Sequence, residues 1–282
     1  MVEPHNTESR LPHEACNIVV VGAGGRMGRM LIAEITATDG CRVSGAVERP
    51  GSDAIGLDAG VQAGIAALDV AIVDDAAAAI ARADAVIDFT TPEATVDHAR
   101  LCAQAGAAHI IGTTGLGPEH EEALDLAARH VPVVYAPNMS VGVTLLMALT
   151  EKVAAILGDD YDIEVLEMHH RHKVDAPSGT ALGLGRAAAR GRAVEHDDVK
   201  QAVRDGKTGA RPRGEIGYAT LRGGDVVGDH TVIFAAEGER LELGHKASNR
   251  KVFAAGAVRA ALWARGRAPA VYSMRDVLGL NA

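Results

Sequence analysis

Aromatic side chains are scarce in this 282-residue chain, where three Phe, four Tyr and one Trp make up only 3% of the sequence. Hydrophobic residues as a whole make up 48%, so the core must be built mainly from Val, Ile, Leu and Ala. That composition is typical of helices packed on a parallel sheet. The length is sufficient for two domains.

Cysteine is also rare, and Cys16, Cys41 and Cys102 show no CxxC spacing. We interpret them as reduced, buried thiols of a cytoplasmic protein. We expect no transmembrane helix, because no apolar stretch approaches the required length. Residues 1–15 lack the apolar segment of a signal peptide, which predicts a flexible extension and a cytoplasmic location.

Positive charge is outnumbered, since 28 Lys and Arg stand against 37 Asp and Glu and the net charge is −9. This balance argues against binding to nucleic acid or to an anionic membrane. The basic run at residues 169–173 stands out against the acidic background. It is therefore the first candidate for a functional site.

Short apolar strands alternate with helices in the first half of the chain. This alternation predicts βαβ units in a parallel sheet, an α/β fold. The predicted elements are strands at 17–22, 42–47, 85–89, 108–112 and 131–135, and helices at 26–37, from Pro92 onward, and at 118–130.

The pattern changes after Asn138 to that of a mixed α+β domain with an open sheet. Ser140 is the predicted N-cap of a long helix, and residues 190–213 are polar and predict a loop with at most short elements. The other predicted elements are helices at 140–157, from Ser178 and at 250–265, and strands at 162–169, 217–221, 226–236 and 240–245, with a turn at residues 237–238.

A glycine-rich turn, Gly22-Ala23-Gly24-Gly25-Arg26-Met27-Gly28, lies between the first strand and the first helix. Glycines there allow a pyrophosphate to approach the helix N-terminus. Glu48 ends the second strand and could bind an adenosine ribose, which favours NADH. Its neighbour Arg49 could bind a 2′-phosphate, which favours NADPH, or stack on the adenine, so we expect NADH and/or NADPH. A tight turn without a ligand is the alternative.

Two further loops follow strands at the edge where doubly wound sheets bind their ligands. They are Gly112-Thr113-Thr114-Gly115 and Ala136-Pro137-Asn138-Met139. Their small and hydroxyl side chains could line a nicotinamide and its ribose, and ordinary turn chemistry is the alternative for each loop.

The run His169-His170-Arg171-His172-Lys173 is followed shortly by Pro177-Ser178-Gly179-Thr180, which is typical of a helix start. Unpaired N–H groups at a helix N-terminus hold anions. Histidines near neutral pKa can donate a proton, and a lysine supplies fixed charge. The combination predicts binding and protonation of a small acidic substrate, with a solvated basic stretch as the alternative.

Strand alternation would place His169 and Lys173 on one face and His170 on the other. The three can converge only if the strand ends here and the chain bends. Arg171 and His172 would then be structural, pairing with acidic neighbours or lying at a subunit interface.

Three close histidines could also indicate a metal site, but we predict no metal. Adjacent His169 and His170 make poor joint ligands on a regular element, Lys173 repels a cation, and no cysteine lies near. His230 and His245 are interpreted as packing or surface residues.

Together these motifs resemble the 4-hydroxy-tetrahydrodipicolinate reductase family, also called dihydrodipicolinate reductases. The resemblance covers about residue 17 to the C-terminus, and HHRHK…SGT is its most specific motif. It implies NAD(P)H-dependent reduction of 4-hydroxy-tetrahydrodipicolinate, a cyclic dicarboxylate, in the diaminopimelate route to lysine. The motifs are GAGGRMGR, DFTTPE, IGTTG, APNMSVGV, HHRHKVDAPSGTA and HKASNR…FAAGAVRAALW.

The resemblance also implies domains and roles. A Rossmann domain over residues 16–139 would be completed by 250–282, and residues 140–249 would bind substrate and form a homotetramer. His169 would be the general acid/base and Lys173 a proton donor. The implied substrate contacts are His170, Ser178, Gly179 and Thr180, and the implied cofactor contacts are Gly22, Ala23, Gly24, Gly25, Arg26, Met27, Glu48, Arg49, Gly112, Thr113, Thr114, Ala136, Pro137, Asn138 and Met139.

Two other functions fit parts of the sequence. A different two-domain nicotinamide oxidoreductase would act on an amino-acid or sugar acid, but the HHRHK…SGT run argues against it. A dinucleotide sensor would keep the glycine loop and Glu48, yet it would not need His169 and Lys173 together. Cofactor binding without turnover would favour the sensor.

Overall fold

The structure is a computed structural model that describes residues 15–281. The extension predicted over residues 1–15 lies, except for its last residue, outside the described residues. Within the described range, the chain folds into two compact units. Unit 1 comprises residues 15–135 and Ala257–Val271, and unit 2 comprises Ala136–Gly256 and residues 272–281.

The regular elements are named here in chain order. The strands are β1 (Cys16–Val21), β2 (Cys41–Val47), β3 (Ile72–Val73), β4 (Ala85–Asp88), β5 (Ala108–Ile111), β6 (Pro132–Tyr135), β7 (Asp162–His169), β8 (Lys200–Gln201), β9 (Ile216–Arg222), β10 (Gly228–Ala236), β11 (Glu239–Ala247) and β12 (Ala270–Tyr272). The helices are α1 (Arg26–Ala37), α2 (Ala59–Gln62), α3 (Ala76–Ile80), α4 (Pro92–Ala105), α5 (Pro118–Ala127), α6 (Val141–Leu157), α7 (Gly179–Gly191), α8 (His196–Val199), α9 (Lys251–Ala264) and α10 (Met274–Val277).

Unit 1 is built on a seven-stranded sheet with the order β12-β6-β5-β4-β1-β2-β3. The pairs among β1 to β6 are parallel. Strand β1, between β4 and β2, is apolar on both faces, and Ile18, Val19 and Val20 are fully buried, as expected for a strand covered by helices on each side. The predicted α/β class with a parallel sheet is confirmed.

Unit 2 is built on a five-stranded mixed sheet with the order β11-β10-β7-β9-β8. Burial alternates strictly along β7, so that Ile163, Val165, Glu167 and His169 share the buried face. The apolar part of that face packs in a core with side chains of α6 and α7. The predicted mixed second sheet is confirmed.

Five short elements are absent from the sequence prediction: α2, β3, α3, β12 and α10. They span two to five residues each, which is too short for periodicity to show. The starts of α6 and α7 are predicted better than these short elements. The Ser140 and Ser178 hydroxyls each accept a hydrogen bond from the backbone N–H three residues later. All three cysteines are free, but Cys41 is only half-buried.

The expectation that no apolar stretch reaches transmembrane length is wrong. Residues Val141–Asp160, which are α6 and the following turn, are long and apolar enough by length and composition. The sequence hides this because Glu151 and Lys152 interrupt the apolar run. One face of α6 packs on α7 and β11, and a helix with a packed face of this kind is also typical of the core of a globular unit.

Candidate active site

The glycine-rich turn after β1 presents an uncapped helix N-terminus in unit 1. Gly25 is the N-cap of α1, and among the described residues no side-chain cap bonds to the first N–H groups of the helix. Gly28 packs so tightly that a Cβ there would lie 2.2 Å from the carbonyl oxygen of Gly22. The free N–H groups and the close packing of helix on strand suit a pyrophosphate at this turn.

Glu48, directly after β2, is tied to the glycine-rich turn. One of its carboxylate oxygens accepts from the Gly24 N–H at 3.0 Å, and the other accepts from the Arg49 N–H at 3.0 Å. The Arg49 side chain is exposed. Glu48 therefore braces the turn while keeping lone pairs for further donors, and Arg49 stands beside it in solvent.

Asp88, at the end of β4, is the buried centre of a hydrogen-bond network that sequence reasoning missed. Its carboxylate binds His98 Nδ1 at 2.8 Å and His109 Nε2 at 3.3 Å. It also accepts from the hydroxyls of Thr90 at 2.6 Å and Thr113 at 3.3 Å. Burial by itself would raise the pKa of Asp88, but the hydrogen bonds and charges of His109 and His98 hold it well below its ordinary value.

This network fixes one of the two predicted cofactor loops. Thr113 is buried and its hydroxyl is bonded to both Asp88 and Thr95, whereas Thr114 is exposed. Gly112 cannot carry a side chain, because a Cβ there would lie 2.2 Å from the Phe89 ring. The loop after β5 is thus held rigidly at the carboxyl end of the strand.

The other predicted cofactor loop, Ala136–Met139, belongs to unit 2. Its Asn138 side chain donates to the Thr180 hydroxyl at 3.0 Å and accepts from the Ser140 N–H at 2.9 Å. Pro137 is exposed, and Met139 is buried. The structure therefore joins a predicted cofactor residue, Asn138, to a predicted substrate residue, Thr180.

The chain bends directly after His169. Convergence of His169, His170 and Lys173 requires such a bend. β7 ends at His169, and the Lys173 N–H donates to the His170 carbonyl oxygen at 3.1 Å, which closes a turn. The Lys173 ammonium pairs with Asp175 at 2.8 Å. Lys173 is thereby held at the turn that follows the strand.

Arg171 and His172 were predicted to pair with acidic neighbours or to lie at a subunit interface. Both residues are exposed, and neither pairs with an acidic side chain within residues 15–281. The His172 ring instead lies 6.2 Å from that of His170. Acidic neighbours are therefore not seen for either residue among those that the structure describes, and the alternative, a subunit interface, stays a prediction.

The start of α7 offers two unpaired backbone donors. Ser178 caps the helix through its hydroxyl, which accepts from the Ala181 N–H at 3.1 Å. In the described part of the chain, the N–H groups of Gly179 and Thr180 have no partner. Gly179 is exposed and Thr180 half-buried, so an anion can reach both N–H groups.

Glu167, which sequence reasoning also missed, anchors the other side of this site. Its buried carboxylate accepts from His169 Nδ1 at 2.5 Å, from the Ser178 N–H at 3.0 Å and from both terminal nitrogens of Arg222 at 2.9 and 3.0 Å. Burial lowers the pKa of His169, and the Glu167 carboxylate opposes that shift only in part. The signal in the sequence was the spacing of two, which puts Glu167 and His169 on one face of β7.

His230 and His245, which we predicted to be packing or surface residues, face each other on neighbouring strands of the second sheet. His230 is 4% exposed, its Nε2 lies 3.3 Å from the Ser178 hydroxyl, and its ring centre lies 5.0 Å from that of His169. Burial lowers the pKa of His230 to about 4. His245 is its partner across β10 and β11, so strand pairing brings both histidines to the site.

Residues 15–281 contain no group of three or more His, Cys, Asp or Glu side chains arranged to hold a metal ion. An α/β unit with a glycine-rich turn at a helix N-terminus, joined to a second unit with a buried imidazole and a helix start with unpaired N–H groups, is typical of one class of protein: the dinucleotide-dependent oxidoreductases.

Comparison with known proteins defines the family. The model of dihydrodipicolinate reductase, N-terminus, matches residues 16–139, and that of the C-terminus matches residues 142–278. The chain therefore belongs to the dihydrodipicolinate reductase family. It is an oxidoreductase that reduces 4-hydroxy-tetrahydrodipicolinate with a pyridine nucleotide, and the resemblance noted in the sequence is confirmed.

Similar proteins support this at high identity. The chain is 60% identical over 263 residues to the 4-hydroxy-tetrahydrodipicolinate reductase of Dinoroseobacter shibae, covering 93% of this chain and 98% of the relative. It is 57% identical to that of Brucella abortus, with 94% and 99% covered. A dipicolinate-bound dihydrodipicolinate reductase from a Paenisporosarcina species has the same fold, with a TM-score of 0.73 at 21% identity and 92% and 97% covered.

Proposed function

We propose that unit 1 binds the reduced dinucleotide, and that unit 2 binds the cyclic dicarboxylate and supplies the proton for its reduction. The predicted domains, residues 16–139 with 250–282 and residues 140–249, are the proposed basis of this division. The observation that carries the proposal is the placing of a buried imidazole, His169, beside an α7 start with two unpaired N–H groups.

The glycine-rich turn and its neighbours are the proposed cofactor residues. Gly22 to Met27 would bind the pyrophosphate, Glu48 the adenosine ribose and Arg49 a 2′-phosphate. The loops 112–114 and 136–139 would line the nicotinamide. When bound, the reduced nicotinamide supplies a hydride. We propose use of both NADH and NADPH, because Glu48 keeps acceptor capacity while Arg49 is exposed beside it.

The start of α7 is the proposed seat of one substrate carboxylate. That carboxylate would accept hydrogen bonds from the N–H groups of Gly179 and Thr180 and from the Ser178 hydroxyl. Lys173 and His170 would face the second carboxylate. A contact at a helix N-terminus is worth roughly 0.3–1 kcal/mol when exposed and up to about 2 kcal/mol when partly buried.

His169 and Lys173 are the proposed acids. Replacing the ring hydroxyl by hydrogen consumes one hydride and one proton, and the hydroxyl leaves as water. A positioned cationic donor stabilises the charge that develops in such a step. General acid catalysis of this kind contributes about 10²–10⁴-fold.

We further propose that the enzyme is a cytoplasmic homotetramer that binds neither nucleic acid nor membrane. The net charge of −9 supports the latter. The unpacked face of the second sheet carries apolar side chains, among them Leu166, Ile233 and the 48% exposed Leu221, and a face of this kind favours association. Sedimentation of the wild type and of Leu221→Asp tests it: a smaller species is expected for the variant, and a wild-type monomer would refute the tetramer.

Oxidation of NADH and of NADPH by the purified protein tests the function. The substrate is generated in the cuvette by condensing pyruvate with aspartate semialdehyde. Substrate-dependent oxidation is the expected result, and the two rates measure the contributions of Glu48 and Arg49. If both nucleotides bind but neither is consumed, the protein is a dinucleotide sensor instead.

A further inference from the structure

Glu167 holds three parts of the proposed active site at once. It is 1% exposed, and its carboxylate bonds to the imidazole of His169, to the backbone N–H of Ser178 and to the guanidinium of Arg222. Burying a carboxylate is costly unless all its lone pairs are used. A residue placed for packing alone would not need this set of donors.

The bond to His169 decides which imidazole nitrogen is free. Because Nδ1 donates to Glu167, the neutral ring keeps its lone pair on Nε2, and the protonated ring carries an acidic N–H there. Within residues 15–281, Nε2 makes no hydrogen bond. Gly228 faces it, and a Cβ at that position would lie 3.0 Å from Nε2. The glycine thus leaves room beside the nitrogen that Glu167 exposes.

Arg222 clamps Glu167 from the neighbouring strand and extends the connection. Its two terminal nitrogens bind the carboxylate in a bidentate pair, a geometry specific to arginine. One of them also donates to the Asp175 carbonyl oxygen at 2.6 Å, and the Asp175 side chain pairs with Lys173. Glu167 and Arg222 therefore link His169, the α7 start and the Lys173 turn.

We propose that Glu167, clamped by Arg222, is a positioning residue for the reduction. It fixes the His169 tautomer with Nε2 free for proton transfer, and it sets the distance between that nitrogen and the N–H groups that hold the substrate carboxylate. The inference rests on the proposed function of His169, and it adds a residue that acts through His169 rather than directly on the substrate.

Glu167→Gln is the first test, because an amide of the same shape can donate to Nδ1 and so reverse the tautomer. The expected loss of kcat is on the order of 10²-fold, within the contribution of a general acid. The ¹⁵N chemical shifts of His169 should show the proton moving from Nδ1 to Nε2. The alkaline limb of the pH–kcat profile should move to lower pH, because a general acid must be protonated and the Glu167 charge favours the protonated ring.

A double-mutant cycle separates positioning from a general loss of structure. If Glu167 acts through His169, then adding Glu167→Gln to His169→Ala should cost little further kcat. Glu164→Gln is the matched control: it removes a carboxylate from the same strand that also pairs with two arginines, and it should leave kcat unchanged. An equal loss of kcat in both backgrounds, or an unchanged tautomer with wild-type kcat, overturns the inference.

Two further measurements keep the test decisive. If Glu167→Gln does not fold, Glu167→Asp retains the charge but withdraws it by one methylene, and kcat should still fall. Wild-type kcat in a folded Asp variant contradicts the inference. Full activity of His169→Ala would instead refute the proposed function of His169, and the NMR tautomer of Glu167→Gln would still report on the positioning itself.

Discussion

Each unit of this protein is organised around one buried carboxylate, and the two are used differently. Asp88 in unit 1 collects two histidines and two threonine hydroxyls. Glu167 in unit 2 is clamped by Arg222 and bonds to only one histidine, whose second nitrogen stays free. The first network fixes loops, whereas the second fixes a group that can carry a proton.

The partners of the two carboxylates explain the difference. Asp88 has no arginine among its partners in the described part of the chain, so its histidines and hydroxyls are committed to satisfying a buried charge. At Glu167 the guanidinium contributes to satisfying that charge, and within residues 15–281 the imidazole of His169 keeps its second nitrogen unbonded. A buried acceptor that gathers donors therefore gives a fixed loop in one unit and an oriented imidazole in the other.

The largest effect should come from removing the ammonium group of Lys173 in unit 2. Lys173→Ala is expected to lower kcat by about 10²–10⁴-fold while the affinity for NADH stays nearly constant. Steady-state kinetics and fluorescence titration with NADH measure the two effects. Lys152→Ala, an exposed lysine of α6, is the control. Equal losses of turnover and of NADH affinity would refute the role given to Lys173.

Removing the Asp88 carboxylate of unit 1 should lower the stability of the fold. Asp88→Ala leaves buried donors without their acceptor, and the free energy of unfolding should fall by about 3–5 kcal/mol. Urea denaturation measures it. Asp97→Ala, which breaks an exposed pair with Arg100, should change stability by less than about 1 kcal/mol. Similar values for the two variants would show that the Asp88 network does not hold the loops.

The next effect concerns the pH dependence of stability and His230, a buried histidine of unit 2. The unfolded chain protonates His230 near its ordinary pKa of 6.5, but the native state does so only near 4. The stability that neutral His230 contributes is therefore present above pH 6.5 and lost as pH falls towards 4, by roughly 3 kcal/mol. Urea unfolding at pH 7 and 4.5 should show a smaller drop for His230→Gln than for the wild type. Equal drops would contradict this.

The smallest effect should appear at the cofactor site. Arg49→Ala should weaken NADPH binding about tenfold, or about 1.4 kcal/mol, because a 2′-phosphate loses its partner, and it should leave NADH binding unchanged. Titration calorimetry with each nucleotide measures this. Arg42→Ala, on β2 with its side chain bonded to Asn17, is the control. Equal weakening of both nucleotides would place Arg49 on a shared part of the cofactor.

Periodicity in the sequence was enough for the long elements. α1 and β7 begin and end at the predicted residues. The dozen residues of α1 have clear helical spacing, and in β7 the apolar Ile163 and Val165 alternate with acidic neighbours. Ser140 and Ser178 were found by capping chemistry, which is local. Elements such as β3, with two residues, have no pattern to detect and form only because neighbouring strands pair with them.

The polar networks were hidden because their partners are distant in sequence. Arg222 lies 55 residues from Glu167, and His230 lies 52 residues from Ser178. No spacing rule predicts such contacts. Glu167 itself was within reach, since a single acidic residue on the buried face of an alternating strand requires a partner. His169 and Lys173 stood out because they lie in one run.

A crystal structure of the enzyme with a non-reducible cyclic dicarboxylate tests the central claim most directly. The account predicts one carboxylate at the N–H groups of Gly179 and Thr180, the other near Lys173, and the ring within proton-transfer distance of His169 Nε2. A ligand bound elsewhere in unit 2, with these N–H groups and Nε2 untouched, would contradict the assignment of the active site.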